Sequence, residues 1–282
     1  MGIRRKRPFA GAVVFTAFLF GVPFQAFPAV QDSKDFAPVD RFNKTYFKKF
    51  GQDFGSVIAS PGRWGTSDFL KFTALAGTGV LLYGFDQKIY DWVQIQKTPS
   101  SINASPYISK FGQGGYLTAL AVVMYASGEI LDSPGLRKTA LLSLESFLTT
   151  TAVVLTLKAV AGRARPNTGE SARSFYPFSF TSGYTSFPSG DAAGAFAVAT
   201  VIAEQTPGVF VDVLAYGLAG LVAVYRVHDR KHWPSDIFTG SALGFFVGKK
   251  ISRLNKNSSS GNYHVSFELT PHQQSVTLSI YF

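Results

Sequence analysis

The sequence predicts an all-α fold: a bundle of about six apolar helices followed by a short C-terminal β-hairpin. The first observation is a series of apolar segments, Phe72 to Phe85, Gly115 to Gly128, Thr139 to Leu157, Ala192 to Ala203, Gly208 to Tyr225 and Ile237 to Gly248, separated by turns that contain Gly, Pro or Ser. All are rich in Ala, Leu, Val and Gly and too long for ordinary strands, so they read as helices. The second is size: 282 residues with 46% hydrophobic and 15% aromatic side chains can bury a substantial core. The third is an abrupt change after Arg253, where a Lys/Asn/Ser/Gly linker leads into two runs of period-2 alternation, Val265, Phe267, Leu269 and then Val276, Leu278, Ile280. That alternation predicts a hairpin packed on the bundle surface, because one hairpin cannot close a barrel.

Four regions follow in chain order. Residues 1–30 carry a basic start (Arg4, Arg5, Lys6, Arg7) and an apolar run from Phe9 to Phe24, the pattern of a signal peptide or N-terminal anchor. Phe24 and Phe27 stand where a cleavage site wants a small residue, so the uncleaved anchor stays open beside the signal. Either form starts the rest of the chain outside the cytoplasm. Residues 31–66 form a polar arm with one short helix, residues 67–253 the helical domain, and residues 254–282 the linker and hairpin.

Net charge and cysteine usage narrow the partners. The formal charge of +10 fits an anionic membrane surface or an anionic substrate. No nucleic-acid motif is present, and nucleic acid is excluded as the expected partner. With no cysteine, disulfides and thiolate metal sites are absent. Several apolar segments are nearer 10–14 residues than the ~20 that a membrane span needs. Two of the longer ones carry Glu145 and Asp212. An exported start followed by an odd number of crossings would also turn the later loops toward the cytoplasm. A periplasm-facing bundle resting on the membrane is therefore preferred to a fully integral one.

Three clusters on the ends of the last four segments carry the chemistry. Lys158 and Arg165 lie seven residues apart in K-x6-R-P, close to two helical turns, so they share a side if the helix runs on until Pro166 ends it. A pair of cations at a helix C-terminus is the plainer alternative. Ser189, in Pro188-Ser189-Gly190-Asp191, is suited to cap the next helix, with the amides of Gly190 and Asp191 at its positive end. Arg226, His232 and Asp236 follow the spacing R-x5-H-x3-D, where Asp236 can accept from one ring nitrogen and leave the other as a nucleophile. Lys158, Arg165 and Arg226 with a helix N-terminus and a His/Asp pair describe a cradle for a tetrahedral oxyanion.

In order and spacing, these motifs resemble those of the type 2 phosphatidic acid phosphatases, which share a helical core with vanadium haloperoxidases and bacterial class A acid phosphatases. The resemblance covers residues ~65 to 252. It implies Lys158, Arg165, Ser189, Gly190 and Arg226 as phosphate ligands, and His232, oriented by Asp236, as the nucleophile that forms a phosphohistidine. It implies no metal and no cofactor, and a phosphorylated lipid or small phosphoester as substrate. Tyr225 stands where the third motif often has Ser. Asp191 stands where the second has the His that protonates the leaving oxygen. A carboxyl does that only while it holds a proton, and a helix N-terminus with three cations favours the ionised form. The expectation is an exported, membrane-associated phosphatase that is slow, acid-shifted or restricted to good leaving groups. A non-catalytic anion- or lipid-binding relative, or a vanadium-dependent haloperoxidase, is the alternative.

Overall fold

The computed structural model describes residues 40–256 and, beyond them, the backbone of two strands. The chain divides into two units, Met1–Asp32 and Ser33–Phe282. The expected leader at residues 1–30 lies outside the described residues.

Among the described residues there are eight α-helices: α1 Lys44–Ile58, α2 Thr66–Ile95, α3 Pro99–Ile108, α4 Gly114–Ile130, α5 Pro134–Ala161, α6 Gly190–Gln205, α7 Val209–His228 and α8 Pro234–Leu254. The six apolar segments fall within α2, α4, α5, α6, α7 and α8, apart from Gly208, which is the N-cap of α7, so the all-α class holds. The helices are longer than the segments: α2 runs for 30 residues, of which Phe72 to Phe85 is the apolar middle. The added helices lie where composition is polar. α1 is the helix expected in the arm, but it is not confined to the surface, because Tyr46 and Asp53 are buried against α5 and α8. α3 begins with Thr98 as N-cap and Pro99 in its first turn; its Ser/Asn-rich sequence has no apolar run to reveal it. Downstream, Tyr263–Thr270 and Gln273–Ile280 pair antiparallel in backbone, Val265 opposite Leu278. The expected packing of a hairpin on the bundle lies outside the described residues.

The centre of the bundle is α6 against α8, and small residues allow it. A Cβ added at Gly240 would lie 2.4 Å from the Ser189 carbonyl oxygen, at Gly244 2.0 Å from that of Ala193, and at Gly248 2.7 Å from that of Ala197. The backbones therefore touch along this stripe, as small residues spaced by four permit. The Ser189 amide donates to the Asp236 carbonyl oxygen at 3.0 Å, so the starts of the two helices are bonded together. α5 and α7 pack on either side of α6, and Leu141, Leu142, Val201, Val247 and Ile251 fill the space among α5, α6 and α8.

α5 and α7 are long and apolar enough to cross a membrane. The apolar window of α7 is only 22% buried, and Phe210, Val213, Leu214 and Val224 lie exposed along it. A core helix of a water-soluble bundle would bury that stripe.

Candidate active site

The C-terminal ends of α5 and α7 and the N-terminal ends of α6 and α8 meet at one place, and the residues of all three motifs converge there. α5 does not continue to Arg165. Gly162 ends it in a left-handed conformation (φ 59°), and a Cβ there would lie 1.7 Å from the Tyr176 carbonyl oxygen. Lys158 and Arg165 therefore meet across a helix break instead of along two helical turns. Both reach the same residue: Lys158 Nζ donates to the Thr185 carbonyl oxygen, and Arg165 donates to Thr185 Oγ1 at 3.0 Å. The last turn of α7 supplies Arg226, whose carbonyl oxygen accepts from the amides of Lys231 (3.0 Å) and His232 (3.3 Å) and folds the chain back toward α8.

Ser189 caps α6, its hydroxyl accepting from the Ala192 amide at 3.4 Å. Gly190 opens that helix beside Lys158: a Cβ there would sit 3.7 Å from Lys158 Cε. Asp191 follows in the first turn, with its Oδ2 2.9 Å from Arg226 Nε. The contact is an ion pair without an aligned hydrogen bond, since the Arg226 Nε donor has no hydrogen-bond partner; Arg165 Nε, also buried, has none either. Two buried guanidinium N–H groups are thus left without an acceptor, a cost that a bound oxyanion would remove.

His232 is 2% exposed, and its orientation differs from the expected one. Its Nδ1 lies 2.7 Å from the Ser186 carbonyl oxygen and 3.9 Å from Asp236 Oδ2. A carbonyl oxygen only accepts, so Nδ1 carries the proton and Nε2 the lone pair. Asp236 acts one step back: Oδ2 accepts from Ser186 Oγ at 2.5 Å and from the Trp233 amide at 2.9 Å. The correction has a local cause. Asp236 is the third residue of α8, and its carboxylate turns back to cap that helix through the Trp233 amide. Burial holds His232 well below the usual imidazole range, and Lys158, Arg165 and Arg226 push it further the same way. The imidazole is kept neutral, the form in which it can attack.

Sequence reading missed two residues that hold Asp236. Arg163, 1% exposed, donates at 2.6 Å to Asp236 Oδ1 and at 2.6 Å to Asp86 Oδ2. Asp86, fully buried on α2, also accepts from the amide (2.8 Å) and hydroxyl (2.6 Å) of Ser235. Burial holds the Asp236 carboxyl above the usual carboxylate range, against the opposing pull of the Arg163 guanidinium, the Ser186 hydroxyl and the Trp233 amide. Because the arginine and the amide can only donate, the ionised form fits this environment. The available signal was Asp86 itself, a lone acid just past an apolar helical run.

Near the site, Asp229 accepts from Ser105 and from Ser109 (2.7 Å), lies 3.0 Å from His228 Nδ1, and stands 4.0 Å from Arg226 Nη1. His228 Nε2 lies 3.1 Å from Ser101 Oγ, so this histidine is tied to α3 and to Asp229. Among the described residues, no group of three or more His, Cys, Asp or Glu side chains could hold a metal.

The PAP2 superfamily model matches residues 139–259. A 68-residue stretch is 35% identical to lipid A 1-phosphatase of Porphyromonas gingivalis, covering 23% of this chain and 15% of that protein. The fold is shared with the crystal structure of LpxE from Aquifex aeolicus (TM-score 0.50, 20% identity, 60% of this chain and 95% of that one). It is also shared with that of the first transmembrane PAP2 type phosphatidylglycerolphosphate phosphatase, from Bacillus subtilis (TM-score 0.51, 22% identity, 65% of this chain and 94% of that one).

Proposed function

This chain belongs to the PAP2 superfamily through residues 139–259, and from that premise we propose that it is an integral membrane phosphatase of lipid phosphates that works without a metal, through a phosphohistidine on His232. The observation that carries the reading is the pairing of a neutral, buried His232 with two buried arginine N–H donors that lack acceptors. A phosphate in the cradle supplies those acceptors and presents phosphorus to Nε2.

The chemistry then runs in two displacements. Nε2 attacks phosphorus, and the bond from phosphorus to the leaving oxygen breaks. Lys158, Arg165 and Arg226 take up the charge on the phosphoryl oxygens, with the start of α6 at Ser189 and Gly190 completing the cradle. Positive charge develops on the ring and is balanced by the Ser186 carbonyl and the Asp236 carboxylate behind it. Water then attacks phosphorus as the phosphorus–nitrogen bond breaks, its proton passing to the Asp191 carboxylate, which releases inorganic phosphate and restores the neutral imidazole.

The leaving oxygen needs a proton, and Asp191 occupies the position from which it would come. Its carboxylate is engaged with Arg226, so an incoming phosphate must compete for that cation. The reading therefore favours substrates with good leaving groups, such as diphosphates, whose leaving phosphate needs little protonation. The same ion pair favours a second reading, a relative that binds phosphorylated lipids without turnover.

The names of the matched proteins, lipid A 1-phosphatase and phosphatidylglycerolphosphate phosphatase, support a lipid substrate. Lys158 and Arg226 lie near the ends of the two candidate spans, the depth at which a lipid headgroup sits. The basic-apolar start of the sequence supports export to the cell envelope as part of this reading. The test is phosphate release from phosphatidic acid and from an isoprenyl diphosphate in detergent micelles, with His232→Ala as control. Release that His232→Ala abolishes supports the enzyme; binding without release supports the second reading.

A further inference from the structure

We infer that Asp86 and Arg163 are positioning residues for the nucleophile, forming with Asp236 and Ser186 a buried chain of charges that sets both the orientation of His232 and the stability of the charge it acquires. The inference rests on His232 as the attacking group.

The chain is continuous and saturated. Asp86 Oδ2 meets Arg163 at 2.6 Å, Arg163 meets Asp236 Oδ1 at 2.6 Å, Asp236 Oδ2 meets Ser186 Oγ at 2.5 Å, and the Ser186 carbonyl meets His232 Nδ1 at 2.7 Å. Asp86, Arg163, Ser186 and Asp236 are each at most 1% exposed. Arg163 is fixed further by two bonds to the Ala172 carbonyl (3.0 and 2.6 Å), by Ser235 Oγ at 2.8 Å, and by the rings of Tyr83, Phe175 and Trp233. A guanidinium so enclosed cannot serve as a phosphate ligand. It lies between residues 158 and 165 of the first motif yet faces away from the cradle, toward two carboxylates.

The electrostatics give this arrangement a catalytic consequence. Two carboxylates against one guanidinium leave one net negative charge behind the imidazole. In front of it stand Lys158, Arg165 and Arg226, which oppose any positive charge on the ring. Attack through Nε2 creates such a charge, and the net negative charge behind the ring offsets the opposition. A purely structural buried ion pair would need only one carboxylate for the arginine. The second, Asp86, also accepts from the amide and hydroxyl of Ser235 in the first turn of α8, so it ties α2 to the helix that carries Asp236.

The test uses the full chain in detergent, with p-nitrophenyl phosphate and phosphatidic acid as probes. Asp86→Asn keeps the shape and removes the charge. The expected result is a kcat lowered about 10-fold, KM changed less than about 2-fold, and the acid limb of the kcat/KM profile moved to lower pH, because the ring is less easily charged in both respects. Asp86→Glu restores the charge and recovers part of the rate. Arg163→Lys, which loses the planar fork, is lowered in kcat in the same way and covers the case in which Asp86→Asn does not fold. A lowered melting temperature with unchanged kcat and pH profile in the variants that fold overturns the inference while leaving the nucleophile intact. Full activity of His232→Ala overturns both.

Discussion

His232 lies between two unlike halves of one site. Behind it, Ser186, Asp236, Arg163 and Asp86 are buried and satisfy one another. In front, Arg165 and Arg226 keep buried donors without acceptors, and Asp191 is the partly exposed member, with 26% of its side chain accessible. The difference separates two tasks. A nucleophile attacks best from a fixed position, which saturated bonds provide at no cost during the reaction. A substrate cradle must leave valences open, and in the proposed one Arg226 is paired with the Asp191 carboxylate, which a bound phosphate would displace.

Breaking the open half costs most. Arg226→Ala removes a proposed phosphate ligand and leaves Asp191 without its cation, so kcat/KM on phosphatidic acid is expected to fall about 10²- to 10³-fold. A fall under 10-fold would show that the anion is held elsewhere. Asp191→His alters the same half in the opposite direction: it frees Arg226 and supplies a proton donor, and kcat on phosphatidic acid at neutral pH is expected to rise about 10- to 10²-fold. The gain is expected to be smaller on p-nitrophenyl phosphate, whose leaving group needs less protonation.

The pH profile sharpens the comparison further. His232 is held well below the usual imidazole range by burial and by three cations, so the free base persists as pH falls through about 6.5. Acidification therefore does not remove the nucleophile until pH drops below that depressed value. The kcat/KM of the wild type is expected to show no loss centred near about pH 6.5; a loss there would show that His232 is not held down by burial and its cations. A smaller effect is expected from Gly112→Ala in the turn that packs on Asp191. The added Cβ would lie 2.4 Å from Val222 Cγ1 and 3.0 Å from Asp191 Cβ. Stability is expected to drop by ~1–3 kcal/mol in thermal unfolding, with KM shifted a few-fold.

The contrast also explains what the sequence discloses. The cradle residues are legible because their spacing reflects helix ends: Ser189 must cap a helix, and Arg226 and His232 must flank one turn. The apolar helices are legible because each buries or presents a face long enough to dominate composition. α3 is not, because its stability comes from a Thr98 cap and from contacts with α7. Asp86 and Arg163 escape because their meaning lies in a pairing across 77 residues of chain, and no local period encodes it. The expected two-turn helix linking Lys158 to Arg165 fails at Gly162, where the backbone turns left-handed and approaches the Tyr176 carbonyl too closely for a side chain. The expected direct bond between Asp236 and His232 fails because the carboxylate is used first as a helix cap and as the partner of Arg163.

The most direct measurement is the site of phosphorylation. Acid-labile, alkali-stable phosphoenzyme trapped by rapid quench from labelled phosphatidic acid, then mapped by phosphorus NMR and mass spectrometry, should carry phosphate on Nε2 of His232, because Nδ1 donates to the Ser186 carbonyl. Phosphate on Nδ1, or turnover with no phosphoenzyme and with His232→Ala active, would contradict it.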